Sequence, residues 1–225
     1  MAFEETQPKN PYQIIKNQHI FPDSSIKRFV NQNGDVHVYG KKYKKFRYKK
    51  PSSEMFCLKR AWDKKTEIGL MKEIEDKFQT LAPGLIAGTT ILKALPDHSI
   101  IEDFYALWAI RARLKIIPIN DQHLRGILGT STTFTKDEEE LMENAGVAFI
   151  RKDGSVPGRF FAGDNVVRQM INWRLRFKHT RWGFGQVSKG ELIVPDDPYN
   201  GYTKMIPLSK TTNRNFPEMH RPILF

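Results

Sequence analysis

A chain of 225 residues, 40% of them hydrophobic with 15 Phe and 4 Trp, has enough apolar surface to offset the entropy of ordering its backbone, which excludes global disorder. No run of about 18 apolar residues occurs, which excludes a membrane-spanning helix. A lone cysteine, Cys57, excludes an internal disulfide framework, and the formal charge of +11 points to an anionic partner, because such a field attracts phosphates at long range.

The opening MAFEETQPKNPYQ has no apolar core, so no secretory signal is expected and the predicted location is the cytoplasm. Residues 1–16, polar with Pro8 and Pro11, read as an extended N-terminal arm, and 17–225 as a single α+β domain. A short helix is predicted over 22–30, with Pro22 in its first turn and Ile26, Phe29 and Val30 on one face. Asn33-Gly34 supplies a tight turn, and the alternation of Val36, His37, Val38 and Tyr39 predicts a β-hairpin near 35–50.

Ile68, Met71, Ile74, Phe78 and Leu81 recur at helical spacing, which predicts an amphipathic helix over 66–81 stopped by Pro83. A second helix is predicted over 100–117, ending before Pro118. Thr135 and Glu138 have the spacing of a capping box for a third, closed by Gly146. Asp164 or Asn165 is the predicted cap of a fourth helix, with Val166, Val167, Met170, Ile171 and Trp173 apolar. Trp182, Phe184 and Val187, then Ser188-Lys189-Gly190, then Leu192 to Val194 predict a second hairpin before a Pro-rich irregular end. Without regular βαβ alternation, the fold class is α+β, several helices packed with short antiparallel hairpins near both ends.

Two segments hold the whole charge excess. Residues 41–60 carry a net +8 and residues 165–181 a net +5, leaving −2 for the remainder. Within the first, KKYKKFRYKK interleaves Lys41, Lys42, Lys44, Lys45 and Arg47 with Tyr43, Phe46 and Tyr48, a mixture suited to phosphate contact and base stacking. The competing expectation is that Tyr43 and Phe46 pack inward beneath a solvated row of lysines. Within the second, Arg168, Arg174, Arg176, Lys178 and Arg181 extend from a face opposite the apolar one and suit an anionic groove, while Trp173 and Trp182 are expected in the core.

Residues 17–42, NQHIFPDSSIKRFVNQNGDVHVYGKK, resemble the opening of the bacterial domain-of-unknown-function family 4238, with His19, Pro22, Phe29, Val38 and Tyr39 at the positions that carry the likeness. GLMKEIEDKFQTLAP is similar to that family's acidic amphipathic helix, and ELIVPDDPYN followed by MIPLSK to its "SDxP" and "PLS" elements. Asp196 takes the acid position, with Pro195 where the family has a hydroxyl residue. The resemblance implies a fold and, through the family's distribution among bacteria and mobile elements, a role in defence or conflict.

His19, His37, His98, His123, His179 and His220 show no HxH or HxxxH spacing, so no metal and no cofactor is assigned. No phosphate-cradling GxxxxGK[ST] loop and no GxSxG elbow occurs. His19 is the candidate general acid or base, with Arg28 to steady an anionic phosphate; its alternative role is a hydrogen bond to a backbone carbonyl. Asp196 and Asp197 before Pro198 are candidate strand-end carboxylates or turn formers. The expected function is binding of RNA or DNA through 41–50 and 168–181, with metal-independent RNA cleavage in which His19 removes the 2′-hydroxyl proton and Arg28 or an arginine of the basic helix stabilises the phosphate, Asp196 being the third candidate catalytic residue. The alternatives are a non-catalytic module docking an acidic protein partner, and a carboxylate-metal enzyme using Asp196 and Asp197.

Overall fold

In a computed structural model of the chain, residues 4–89, 95–127, 129, 131–177, 181–184, 194–198 and 220–223 are described. The fold is α+β, with helices forming the core and four two-stranded sheets arranged around it.

The core is built where three helices meet. A helical run begins at α2 (Lys64–Thr66), passes through a π turn over Glu67–Met71, and continues as α3 (Lys72–Ile86). It packs on α4 (Leu95–Ile116), which in turn packs on α6 (Gly158–Phe177). Met71, Ile74, Phe78 and Ala82 from the first run, Ile101, Phe104, Leu107 and Ile110 from α4, and Ala162, Val166 and Met170 from α6 are buried together with Trp62 and Trp182. Each large side chain removed from water in this way contributes roughly 1.5 to 3 kcal/mol. Phe78 and Phe104 stack across the α3–α4 contact with ring centroids 3.6 Å apart.

The helices start and stop differently from their sequence signals. The first run begins at Asp63, whose carboxylate accepts from the Thr66 amide at 2.9 Å, and passes through Pro83 to Ile86, because one missing amide in the last turn removes one bond only. Asp164 lies inside α6, paired with Arg168, and the helix begins at Gly158, whose amide donates to Asp121 Oδ1 at 2.8 Å. Val167 and Ile171 of that helix are exposed. By contrast α5 (Lys136–Asn144) has the predicted capping box between Thr135 and Glu138, and Gly146 closes it at φ +74°.

Two sheets set up the N-terminal half. β1 (Asn17–His19) pairs antiparallel with β4 (Cys57–Lys59), and β2 (Val36–Gly40) with β3 (Lys45–Lys49). Between β1 and β2 lies a short helix α1 (Asp23–Ile26) with a 3₁₀ turn over Lys27–Phe29. Buried Gln18 ties β1 to the core: its Nε2 donates to the Trp62 carbonyl at 2.9 Å, and its Oε1 accepts from the Ala61 and Trp62 amides. A small pair, β5 (Gln122–His123) with β6 (Ser155–Val156), precedes α6.

Most of the second expected hairpin, residues 185–193, lies outside the described residues. β7 (Arg181–Phe184) pairs in parallel with β8 (His220–Ile223), and the turn expected at 188–190 lies outside the described residues. Val194 packs beside Ile20, Trp108 and Ala112, which brings the segment 194–198 against α4 near β1. Residues 4–16 have no regular secondary structure but are docked on α5: the Gln7 amide donates to Glu140 Oε1 at 2.9 Å, Tyr12 Oη to Asp137 at 3.0 Å, and Ile14 is buried. Among the described residues no helix is long and apolar enough to cross a membrane.

Candidate nucleic-acid interface

The β2–β3 ribbon begins from a turn that the sequence marks. Gly34 adopts φ +72°, the Asn31 amide donates to the Asp35 carbonyl, and a bridge between Val30 and Val36 closes the base. Val36 is buried, which anchors the ribbon's foot, whereas every residue from Lys41 to Tyr48 is exposed. Lys41, Lys42, Tyr43 and Lys44 form the connecting loop, with Lys44 at φ +48°, and Lys45, Phe46, Arg47 and Tyr48 lie in β3.

Of the seven cations in 41–50, only Lys50 is in an ion pair among the described residues, with Asp35 at 3.1 Å. The others face water without a carboxylate. Tyr43, Phe46 and Tyr48 are 58, 60 and 61% exposed, so the rings stand out from the body instead of packing beneath the lysines. The Tyr43 ring is flanked by Lys42 Nζ at 5.6 Å and the Arg47 guanidinium at 5.3 Å from its centroid, contacts that hold the loop cations near the tip.

The second basic segment is partly answered by carboxylates. Arg168 pairs with Asp164, and Arg174 grips Asp103 with Nε at 2.7 Å and Nη2 at 2.8 Å. That fork raises the Arg174 pKa and commits the guanidinium to α4. Arg176 lies over the Phe177 ring with its guanidinium 5.5 Å from the centroid, and Lys178 lies outside the described residues. Arg181 is half-buried at the start of β7. The exposed face of α6 mixes these arginines with Val167, Ile171 and Leu175 and is not a uniform basic groove. Trp173 and Trp182 both donate their indole N–H to Glu102, which buries Trp182 as a hydrogen-bonded core residue.

His19 sits opposite Cys57 across β1 and β4, and its Nε2 lies 3.3 Å from the Pro51 carbonyl and 3.9 Å from Asp23 Oδ1. A carbonyl only accepts, so the proton is on Nε2 when this bond forms and Nδ1 is the basic nitrogen. Pro51 directly follows the ribbon, which makes His19 a fastener between the β1–β4 sheet and the ribbon's foot. Arg28 is exposed at the 3₁₀ turn, with Nη1 3.4 Å from Ser25 Oγ, and partial burial lowers its pKa. Asp196 is exposed in the 194–198 segment, while Asp197 lines a cleft of about 360 Å³ with Arg113, Gln169 and Trp173. Among the described residues, His19, Arg28 and Asp196 make no hydrogen bond or ion pair with one another. No three His, Cys, Asp or Glu side chains are grouped to hold a metal among those residues.

A polar cluster that pattern reading missed lies under the arm. Arg60 bonds Glu143, Arg159 bonds both Glu143 and Glu4, and Arg151 bonds Glu139, Glu4 and Asp121; the side chains of Arg60, Glu140 and Glu143 are at most 1% exposed. The only available signal was the run of glutamates at 138–140 and 143. Compared with known proteins, the chain matches no family model, no curated protein and no solved structure.

Proposed function

We propose that the chain binds nucleic acid through the ribbon of residues 36–50. The observation that carries this reading is the set of six cations, Lys41, Lys42, Lys44, Lys45, Arg47 and Lys49, exposed or half-exposed on one protrusion with no acidic partner among the described residues. Surface lysines are ordinarily interspersed with acids, and a single-sign cluster of this size creates a field that a polyanion satisfies best. The ribbon needs no rearrangement to present those charges. The chemistry proposed is binding alone, since the placement of His19 against Pro51 suits holding the ribbon in position.

The test replaces Lys44, Lys45 and Arg47 by Glu and measures affinity for RNA and DNA oligonucleotides by fluorescence anisotropy over a range of salt. All three side chains are exposed, so folding should be retained. Loss of three phosphate contacts should flatten the dependence of log affinity on log salt by about 2 on a single strand and weaken binding more than tenfold at low salt. An unchanged binding curve would remove the ribbon from the interface.

A further inference from the structure

We infer that the ribbon's occupant is an unpaired nucleic-acid strand whose bases stack on a continuous row of rings, an inference that rests on the nucleic-acid reading of the same ribbon. The register decides which residues share a face. His37 is directly opposite Tyr48, and Tyr39 opposite Phe46, so these four side chains lie on one face of the pleat. The alternate pairs, Val36 with Lys49, Val38 with Arg47 and Gly40 with Lys45, belong to the other face. Rings and strand cations are therefore segregated, and the remaining free cations are in the loop at the tip.

The four rings touch in sequence. Tyr39 and Phe46 have centroids 4.8 Å apart, Phe46 and His37 4.6 Å, and His37 and Tyr48 4.8 Å with planes within 11°. Phe46 and Tyr48 nevertheless remain about three-fifths exposed, and Tyr39 is 38% exposed. A two-stranded ribbon has no second layer to cover such a row, so an apolar surface with the loop lysines Lys41, Lys42 and Lys44 at its tip end stays in water.

The chemistry of that surface selects among polyanions. In a closed duplex the base faces are stacked on each other, and only edges and phosphates are accessible. A ribbon can enter the major groove of DNA, but it reads base edges there through polar side chains, whereas this face offers rings. Unpaired bases present their π faces, and aromatic stacking with basic flanks is how sequence-tolerant single-strand binding is achieved. An acidic protein would use the cations and leave the row of rings without a matching partner, and an anionic lipid surface, which takes up rings at the headgroup level, is the alternative that the vesicle competition tests.

The experiment uses the full chain with three labelled or competing probes: a single strand of about 12 nucleotides of uridine or thymidine, a mixed-sequence duplex of the same length, and polyglutamate or phosphatidylserine vesicles at equal charge. The expected result is tenfold or greater preference for the single strand. Phe46→Ala with Tyr48→Ala should reduce single-strand affinity by about 10- to 100-fold and leave duplex affinity unchanged. Since the rings also support the ribbon, Phe46→Val with Tyr48→Ile keeps strand-forming side chains without π faces and should show the same loss. Equal binding of duplex and single strand, or unchanged affinity in both ring variants, overturns the stacking inference while the charge-reversal variant still reports on nucleic-acid binding itself. Competition by polyglutamate or vesicles as effective as by the single strand overturns the choice of occupant. Insensitivity to charge reversal removes the underlying reading as well.

Discussion

His19 shows how a residue's type and its surroundings argue separately. Imidazole chemistry alone made it the candidate acid or base, and its neighbours in the fold are the buried Pro51, the Cys57 thiol across the sheet and Asp23. Burial pushes the Cys57 pKa up, so that thiol is not poised as a nucleophile. If His19 holds the Pro51 carbonyl, His19→Ala leaves a buried acceptor unpaired and should lower stability by about 1 to 3 kcal/mol. If it transfers protons, the same substitution should leave stability intact and reduce turnover on RNA by about 10² to 10⁴. Thermal melting and an RNA-cleavage assay on one variant separate the two. A stable His19→Ala protein that still binds the oligonucleotides as the parent does would remove the fastening role.

At the level of elements, local signals were legible and remote ones were not. The ribbon could be read because the turn at Asn33-Gly34 and the period of two are both written within a few residues, and α5 because its capping box is self-contained. The start of α6 could not, since its first amide is held by Asp121, 37 residues earlier. The buried face of α5 reads in the opposite sense to hydropathy: Leu141 is half exposed, and Glu140 is fully enclosed, met there by Arg60 and the Gln7 amide from elsewhere in the chain. The β7–β8 pairing joins strands more than 35 residues apart and leaves no periodic trace. The same remoteness governs α6 against α2. A methyl group added at Gly163 would lie 1.9 Å from Asp63 Oδ2 and 2.4 Å from Thr66 Oγ1, the pair that caps α2. Gly163→Ala is thus expected to destabilise the protein by about 1 to 3 kcal/mol through overpacking, with about 1 kcal/mol more if the cap is displaced. Asp63→Gly placed beside it should recover part of the loss, and a parental melting temperature for Gly163→Ala alone would contradict this contact.

For the molecule as a whole, the charge excess divides by use. Arg60, Arg111, Arg151, Arg159 and Arg174 are matched to carboxylates within the body, which leaves the ribbon as the largest group of uncommitted cations among the described residues. Composition located both basic segments but had no means of seeing that Asp103, on α4, answers Arg174 of α6. The arm takes part in the same matching. Glu4 is partly buried, which by itself disfavours its charge, but Arg159, Lys136 and Arg60 outweigh that and hold its pKa at about 2, below the usual 4.5. A carboxylate whose folded pKa is depressed contributes its stability in full above about pH 4.5 and loses it as the pH falls toward 2. Because one side of Glu4 faces solvent, the contribution is discounted to about 1 to 2 kcal/mol. Glu4→Gln should therefore be less stable than the parent by that amount at neutral pH, with residues 4–14 exchanging their amide hydrogens faster. The difference between the two proteins should shrink as the pH is lowered through this window, because the parent then carries a neutral side chain as well. A difference that persisted unchanged at pH 2, or was absent at pH 7, would show that the arm is held by Gln7, Tyr12 and Ile14 without the Glu4 ion pairs.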